Sequence, residues 1–319
     1  MPVLILLAGF SVGFMLRGLI LGTPKSQMIE IRQGGWQYIN PLLECERAQN
    51  VLSDPELKPI RDHLDNYITE NLKRKWGDDV SVYFRELNDG LTFDIGKDSQ
   101  FYPASLLKVP LMISVLKKAE ADPKILTKKI AYNDPDLKSY QNTDVADKLL
   151  FGRSYTVEDL LRRTIDYSDN VSSILLEGAI SDFDLRKVYD ELGIPDPYYL
   201  NDQSGYMLSV ELYASFFRIL YNASYLSKEM SEKALQYLAK TDYRKGLVAG
   251  VPPQIKVVHK FGLRKINGTK QLHDCGIVYY PDHPYLLCVM TSGTVPEYLD
   301  ATIGDISRFI YEDIDRQHH

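Results

Sequence analysis

Three short groupings of polar residues in this 319-residue chain have the types and spacing to do chemistry. Ser105-Leu106-Leu107-Lys108 places a hydroxyl and an amine one helical turn apart, so both project from one face of a helix. A serine hydroxyl is a weak nucleophile and needs a base within hydrogen-bond reach. A lysine one turn along can be that base if partial burial and neighbouring cations lower its pKa. A helix start adds N–H donors and the positive end of the dipole beside a reacting carbonyl. Ser168-Asp169-Asn170 offers a second hydroxyl with a carboxamide, and His259-Lys260-Phe261-Gly262 offers a second amine. Each grouping also has a plain structural reading: a helix start with a solvated lysine, a helix–helix turn, an edge strand with an exposed lysine. Singly they are weak; their order and context give them weight.

The elements that must position them follow from periodicity. Residues 56–75 carry Leu57, Ile60, Leu64, Tyr67, Ile68 and Leu72 at helical spacing. Residues 80–84 and 91–95 flank Asn88-Asp89-Gly90 and predict a hairpin. Residues 105–121 read as an apolar helix, and 124–245 as mostly helical, with Thr156 a start signal before Val157-Glu158-Asp159-Leu160. After Pro252-Pro253, residues 255–261, 276–280 and 285–290 read as strands, and 299–311 as an amphipathic helix. The expected fold is α/β of the α+β type. An antiparallel sheet of about five strands is built from both ends of the domain, with flanking helices and an all-helical lobe inserted at about 124–245. The active site belongs where the sheet edge meets that lobe.

Ser-x-x-Lys opening a helix after a hairpin, Ser-Asp-Asn in a helical lobe and Lys-x-Gly on a late strand together resemble the motif set of class A β-lactamases and penicillin-binding serine hydrolases. The resemblance runs from about residue 56 to the end. It includes Phe101-Tyr102-Pro103-Ala104 before the serine and the Asp274-Cys275-Gly276-Ile277-Val278 pattern. It implies acyl-serine chemistry with no cofactor and no metal. Ser105 would attack the carbonyl and Lys108 would take its proton. Ser168 would relay a proton toward the leaving nitrogen. Asn170 would bind the substrate amide and Lys108, and Lys260 would supply positive charge to Ser168 and to a substrate carboxylate. Phe261, Gly262 and Leu263 would line the substrate site, with the N–H groups of Ser105 and Leu263 forming the oxyanion hole. Asp169 would satisfy backbone donors in its turn.

The chain departs from that family in two places. A Thr or Ser usually stands between the third-motif Lys and Gly, where its hydroxyl meets a substrate carboxylate; here it is Phe261. Losing one charge-assisted hydrogen bond costs on the order of 1.5–3 kcal/mol, so carboxylate-bearing substrates are expected to bind less tightly. In class A β-lactamases a loop Glu, followed by Leu-Asn, activates the deacylating water. Here Leu200-Asn201 is present, no Glu precedes it, and the loop is short. Its carboxylates are Asp196 and Asp202, each a methylene shorter than Glu.

The remaining features bound the answer. Lys plus Arg is 37 and Asp plus Glu 43, a net charge of −6, with no basic run; nucleic acid is excluded as the expected partner. From Pro2 to Gly22 the only charge is Arg17, and about 1.5 Å per residue takes that stretch across a hydrocarbon core of about 30 Å. Residues 1–25 are expected to be an uncleaved membrane anchor, with a cleaved signal peptide as the alternative. Residues 26–55 follow as a juxtamembrane segment whose Trp36 and Tyr38 either meet the interface or pack on the domain; the catalytic domain is 56–319. It would work outside the cytoplasm. Cys275 and Cys288 are expected as two core thiols on adjacent strands rather than a disulfide, since register is open. His63, His259, His273 and His283 show no metal-ligand spacing, and His318-His319 reads as a solvated tail and not as a metal site. The leading function is an anchored serine hydrolase acting on a β-lactam or related acyl-D-amino-acid amide. A cell-wall D,D-peptidase or esterase is the runner-up. A domain that is acylated and held, as a sensor, is the reading from another class.

Overall fold

The computed structural model describes residues 29–46, 57–73, 79–142, 147–194, 206–266 and 268–318. The body begins with helix α1 (Lys58–Tyr67), extended by a π turn over Ile68–Lys73, and the hairpin β3 (Asp79–Glu86) and β4 (Thr92–Ile95). A 3-10 turn, Ala104–Leu107, leads into α2 (Lys108–Ala121). The lobe is not all helical as expected: it holds the antiparallel ribbon β5 (Lys129–Ala131) and β6 (Ser154–Thr156), whose three-residue strands are too short to show a period in the sequence, then α3 (Val157–Asp166), α4 (Asn170–Glu177), α5 (Asp182–Glu191), α6 (Val210–Asn222) and α7 (Lys228–Leu238). The chain returns as β7 (Val257–Ile266), β8 (Thr269–Val278) and β9 (Tyr285–Gly293) and closes with α8 (Pro296–His318).

The main sheet has five strands in the order β4-β3-β9-β8-β7, all neighbours antiparallel. Strands from the start and the end of the domain therefore share one sheet, joined where β3 pairs with β9, as the sequence predicts. β9 lies at the centre with both faces buried, which explains its unbroken apolar run Tyr285-Leu286-Leu287-Cys288-Val289-Met290. Alternation sorts its side chains. Tyr285, Leu287 and Val289 join Val80, Val82 and Phe84 of β3 under α1 and α8, while Leu286, Cys288 and Met290 face α2 and the helical lobe. α2 is buried at ten of its fourteen positions and is the pillar between sheet and lobe.

Two further expectations meet a different outcome, and one open alternative, the placement of Trp36 and Tyr38, is decided in favour of packing on the domain. Cys275 and Cys288 are not free thiols. They are directly paired across β8 and β9, fully buried and joined as a disulfide. The turn geometry of the β8–β9 hairpin sets this register, which spacing alone left open. Secondly, residues 29–46 fold as a hairpin, β1 (Ile29–Arg32) and β2 (Leu42–Glu46), docked on the lobe. The N–H groups of Tyr38 and Ile39 donate to buried Glu232 at 3.1 and 3.0 Å, and Tyr279 donates its hydroxyl hydrogen to the Tyr38 carbonyl at 2.7 Å. Trp36 packs against the same core. Thirdly, His318 is the last turn of α8 and stacks on His283 rather than trailing in solvent. The expected membrane helix and the loop carboxylates Asp196 and Asp202 lie outside the described residues. Among the described residues no helix is long and apolar enough to cross a membrane.

The disulfide closes a short loop, and chain-entropy arguments assign about 3 kcal/mol to a loop of about 15 residues. The double variant Cys275→Ala/Cys288→Ala is therefore expected to lose about 3 kcal/mol of stability, measured by urea unfolding of the folded domain with and without the bond.

Candidate active site

The nucleophile turn is held from several sides. The Tyr102 N–H donates to the Gln271 side-chain oxygen at 2.9 Å, and His273 on β8 donates from Nε2 to the Tyr102 carbonyl at 3.0 Å. The other His273 nitrogen accepts the Thr291 N–H at 3.3 Å, which defines the neutral tautomer. Complete burial pushes this imidazole down to about 4, so it stays neutral at working pH. Tyr213 from α6 donates its hydroxyl hydrogen to the Leu106 carbonyl at 3.0 Å. Between these anchors Ala104 is forced to φ 49°, a left-handed conformation costly for a residue with a Cβ, immediately before Ser105.

Lys108 begins α2 and is buried, with its ammonium among four acceptors. These are Ser105 Oγ at 3.2 Å, the Ser168 carbonyl at 2.6 Å, Ser168 Oγ at 3.2 Å and Asn170 Oδ1 at 2.7 Å. Burial lowers its pKa to about 8, offset in part by Asp169 and Glu177. Ser168 sits at φ 54° in the turn between α3 and α4, and Asp169 caps α4 by accepting the Ser172 N–H at 2.6 Å. Lys260 on β7 is fully buried and donates to Ser168 Oγ at 3.0 Å and to the Phe261 carbonyl at 2.9 Å. Burial and the neighbouring Lys108 push Lys260 well below the usual lysine range, against the pull of Asp274. One hydroxyl thus bridges two amines, one of which also touches Ser105. That array can move a proton from Ser105 to Lys108, and through Ser168 toward a leaving group on the same face.

β7 is the edge of the sheet, so alternate N–H groups along it have no ladder partner and are free to meet a substrate carbonyl. Its approach to the serine turn depends on Gly262. A Cβ there would lie 2.7 Å from the Pro103 carbonyl oxygen and 3.2 Å from the Leu106 nitrogen. Phe261 stacks on Tyr243 at 4.2 Å between centroids, and Leu263 is 52% exposed at the mouth. The resulting cleft has a volume of about 470 Å³ and is lined by Ser105, Asn142, Asp166, Tyr167, Ser168, Asn170, Asp242, Tyr243, Phe261 and Leu263.

The structure brings Ser105, Lys108, Ser168, Asn170 and Lys260 into one network and places Phe261, Gly262 and Leu263 along its edge. Asn142, which donates to the Ser168 carbonyl at 3.2 Å, joins them without any signal in the sequence. So do Asp166, Asp242 and Tyr243 of the lining and the supporting Gln271, His273 and Tyr213. No local pattern marks these residues; they matter through contacts made across the fold.

Ser105, Lys108, Ser168 and Lys260 form a Ser-Lys-Ser-Lys array where a sheet edge meets a helical lobe, an arrangement suited to serine acyl transfer. The sequence pattern of the β-lactamase enzyme family matches residues 61–314, and the chain belongs to that family. Solved structures share the fold. PBP-A, as a mutant in acyl-enzyme complex with penicillin G, has a TM-score of 0.67 at 19% identity, covering 82% of this chain and 97% of that one. A β-lactamase from Chitinophaga pinensis has a TM-score of 0.70 at 20% identity, covering 80% of this chain and 99% of that one. The class A β-lactamase from Mycobacterium abscessus has 0.66 at 19% identity, covering 80% and 99%. No curated protein sequence matches the chain.

Two outcomes are expected. Gly262→Ala should slow acylation by about a hundredfold, because an added Cβ pushes β7 off the serine turn by a fraction of an ångström; stopped-flow acylation with circular dichroism as the fold control measures it. Secondly, the base form of Lys108 exists above its lowered pKa of about 8. The acylation rate constant at subsaturating substrate should therefore rise with pH, reach half its plateau near pH 8, and fall about tenfold per unit below that.

Proposed function

We propose that the protein opens β-lactams or related acyl-D-amino-acid amides through an acyl-Ser105 intermediate and releases the acyl group slowly. The observation that carries this reading is the hydrogen-bonded chain Ser105–Lys108–Ser168–Lys260. Neutral Lys108 takes the Ser105 proton as the Oγ–carbon bond forms. The N–H groups of Ser105 and Leu263 stabilise the oxyanion. As the amide carbon–nitrogen bond breaks, the proton passes through Ser168 to the leaving nitrogen. Asn170 holds Lys108 and the substrate amide, and Lys260 keeps Ser168 oriented and attracts anionic substrate.

Slow release rests on the loop chemistry. No Glu precedes Leu200-Asn201. General-base help contributes typically 10²–10⁴-fold, or roughly 3–5 kcal/mol of barrier. The same deficit supports a second reading, a penicillin-binding sensor that is acylated and held. A D,D-peptidase or esterase would use the same serine. The stacked Phe261 and Tyr243 replace a hydroxyl at the cleft edge and favour substrates that do not depend on a carboxylate there. We place the domain outside the cytoplasm, anchored through residues 1–25. The Cys275–Cys288 disulfide supports this, since such bonds persist in oxidising compartments.

Intact mass followed over time after adding penicillin G tests the reading. One adduct per chain, persisting for minutes or longer and absent in Ser105→Ala, is expected. A transient adduct with rapid steady-state hydrolysis makes the slow-release proposal wrong. No adduct on the wild type overturns the substrate class, and labelling that survives in Ser105→Ala overturns the nucleophile.

A further inference from the structure

At the end of the sheet that carries the β3–β4 and β8–β9 turns, the chain gathers three metal-ligating side chains that the acyl-transfer site does not use. Glu86 ends β3, His283 lies in the turn between β8 and β9, and His318 ends α8. One donor atom from each lies within 4.8 Å of the other two. None of the three lines the serine cleft.

Two of the ligands are placed by backbone structure. Glu86 pairs with Tyr285 in the β3–β9 ladder, and the next N–H, of Leu87, donates to the Pro284 carbonyl at 3.0 Å. The 281–284 turn is itself closed. The His283 N–H donates to the Tyr280 carbonyl at 3.1 Å, Asp282 adopts φ 59°, and Asn88 donates its side-chain N–H to the Asp282 carbonyl. This leaves His283 Nδ1 3.3 Å from Glu86 Oε1. That separation is long for a hydrogen bond. It equals the edge of about 3.3 Å of a tetrahedron with metal–ligand bonds of about 2.0–2.1 Å. His318 offers the third donor; its ring stacks on His283 at 3.5 Å between centroids, and binding a shared ion requires it to swing out of that stack, which its exposed place on the last turn of the helix permits.

We propose that Glu86, His283 and His318 bind a divalent first-row cation of the zinc class. Two imidazoles and a carboxylate are a known donor set for zinc, with a fourth position left to water. Copper and nickel would compete for the same atoms. The bound ion would tie the end of α8 to the sheet it covers, and through mass action would stabilise the fold. Because two ligands are preset by ladder and turn, little ordering entropy opposes binding.

The test is calorimetric titration of the full chain, expressed without an added tag and stripped with chelator, using zinc chloride as the probe. One ion per chain is expected, with Kd of about 10 µM or tighter, and at a hundredfold excess over Kd a rise in Tm of about 4 °C or more. Glu86→Gln and His283→Gln should each weaken binding by about tenfold or more, His319→Gln should leave it unchanged, and Ser105 labelling should be the same in all three variants. Two results overturn the site. One is zinc affinity weaker than about 100 µM in the wild type. The other is affinity that survives both Glu86→Gln and His283→Gln, which assigns it to the terminal histidine pair alone.

Discussion

Two ammonium groups, Lys108 and Lys260, are buried around the single hydroxyl of Ser168. Burying one charge is costly, and burying two like charges side by side is costlier still, unless each is surrounded by acceptors. The protein meets that demand with carbonyl and amide oxygens from the α3–α4 turn and, behind Lys260, with fully buried Asp274. That carboxylate is itself held by His259 at 2.8 Å and by the Leu247 N–H at 2.9 Å. The residual penalty falls on the protonated forms and lowers both lysine pKa values, that of Lys108 to about 8, so burial itself favours the neutral amine.

The rest of the architecture can be understood as the support for that array. Its members come from a helix start, a helix–helix turn and an edge strand, so no single element can hold it. The anchors run between layers: β8 grips the serine turn through Gln271 and His273, α6 grips it through Tyr213, and β7 reaches it because Gly262 has no Cβ. The strained Ala104 backbone persists because these contacts over-determine its position. The disulfide lies directly across from the functional strand, since Cys275 is the ladder partner of Lys260. It stiffens the layer on which the second amine depends.

The edge of the array carries an aromatic pair, Phe261 on Tyr243, and the acidic groups Asp166 and Asp242. Burial raises the Asp166 carboxyl to about 6 despite its contact with Arg162 at 3.2 Å. The two buried amines thus lie within a largely acidic and aromatic border.

The sequence by itself determined the chemistry-bearing triplets, the two-ended sheet and the helical insertion. These follow from local periodicity: alternation along the β3–β4 hairpin, helical spacing from Leu57 to Leu72, and a cap at Thr156. Short-range patterns report which face of an element is buried and where it starts. They do not report what that face is buried against. Only the tertiary structure decided that Lys108 and Lys260, 60 and 92 residues from Ser168, share its hydroxyl. It also decided that Cys275 faces Cys288, a matter of hairpin register, and that Tyr38 and Ile39 dock on Glu232, 194 and 193 residues away. Asn142, Gln271, His273 and Tyr213 were illegible for the same reason, as was the meeting of Glu86, His283 and His318. Each is an ordinary residue in its own segment, and its role is created by the close approach of chain segments that packing of the apolar faces forces together.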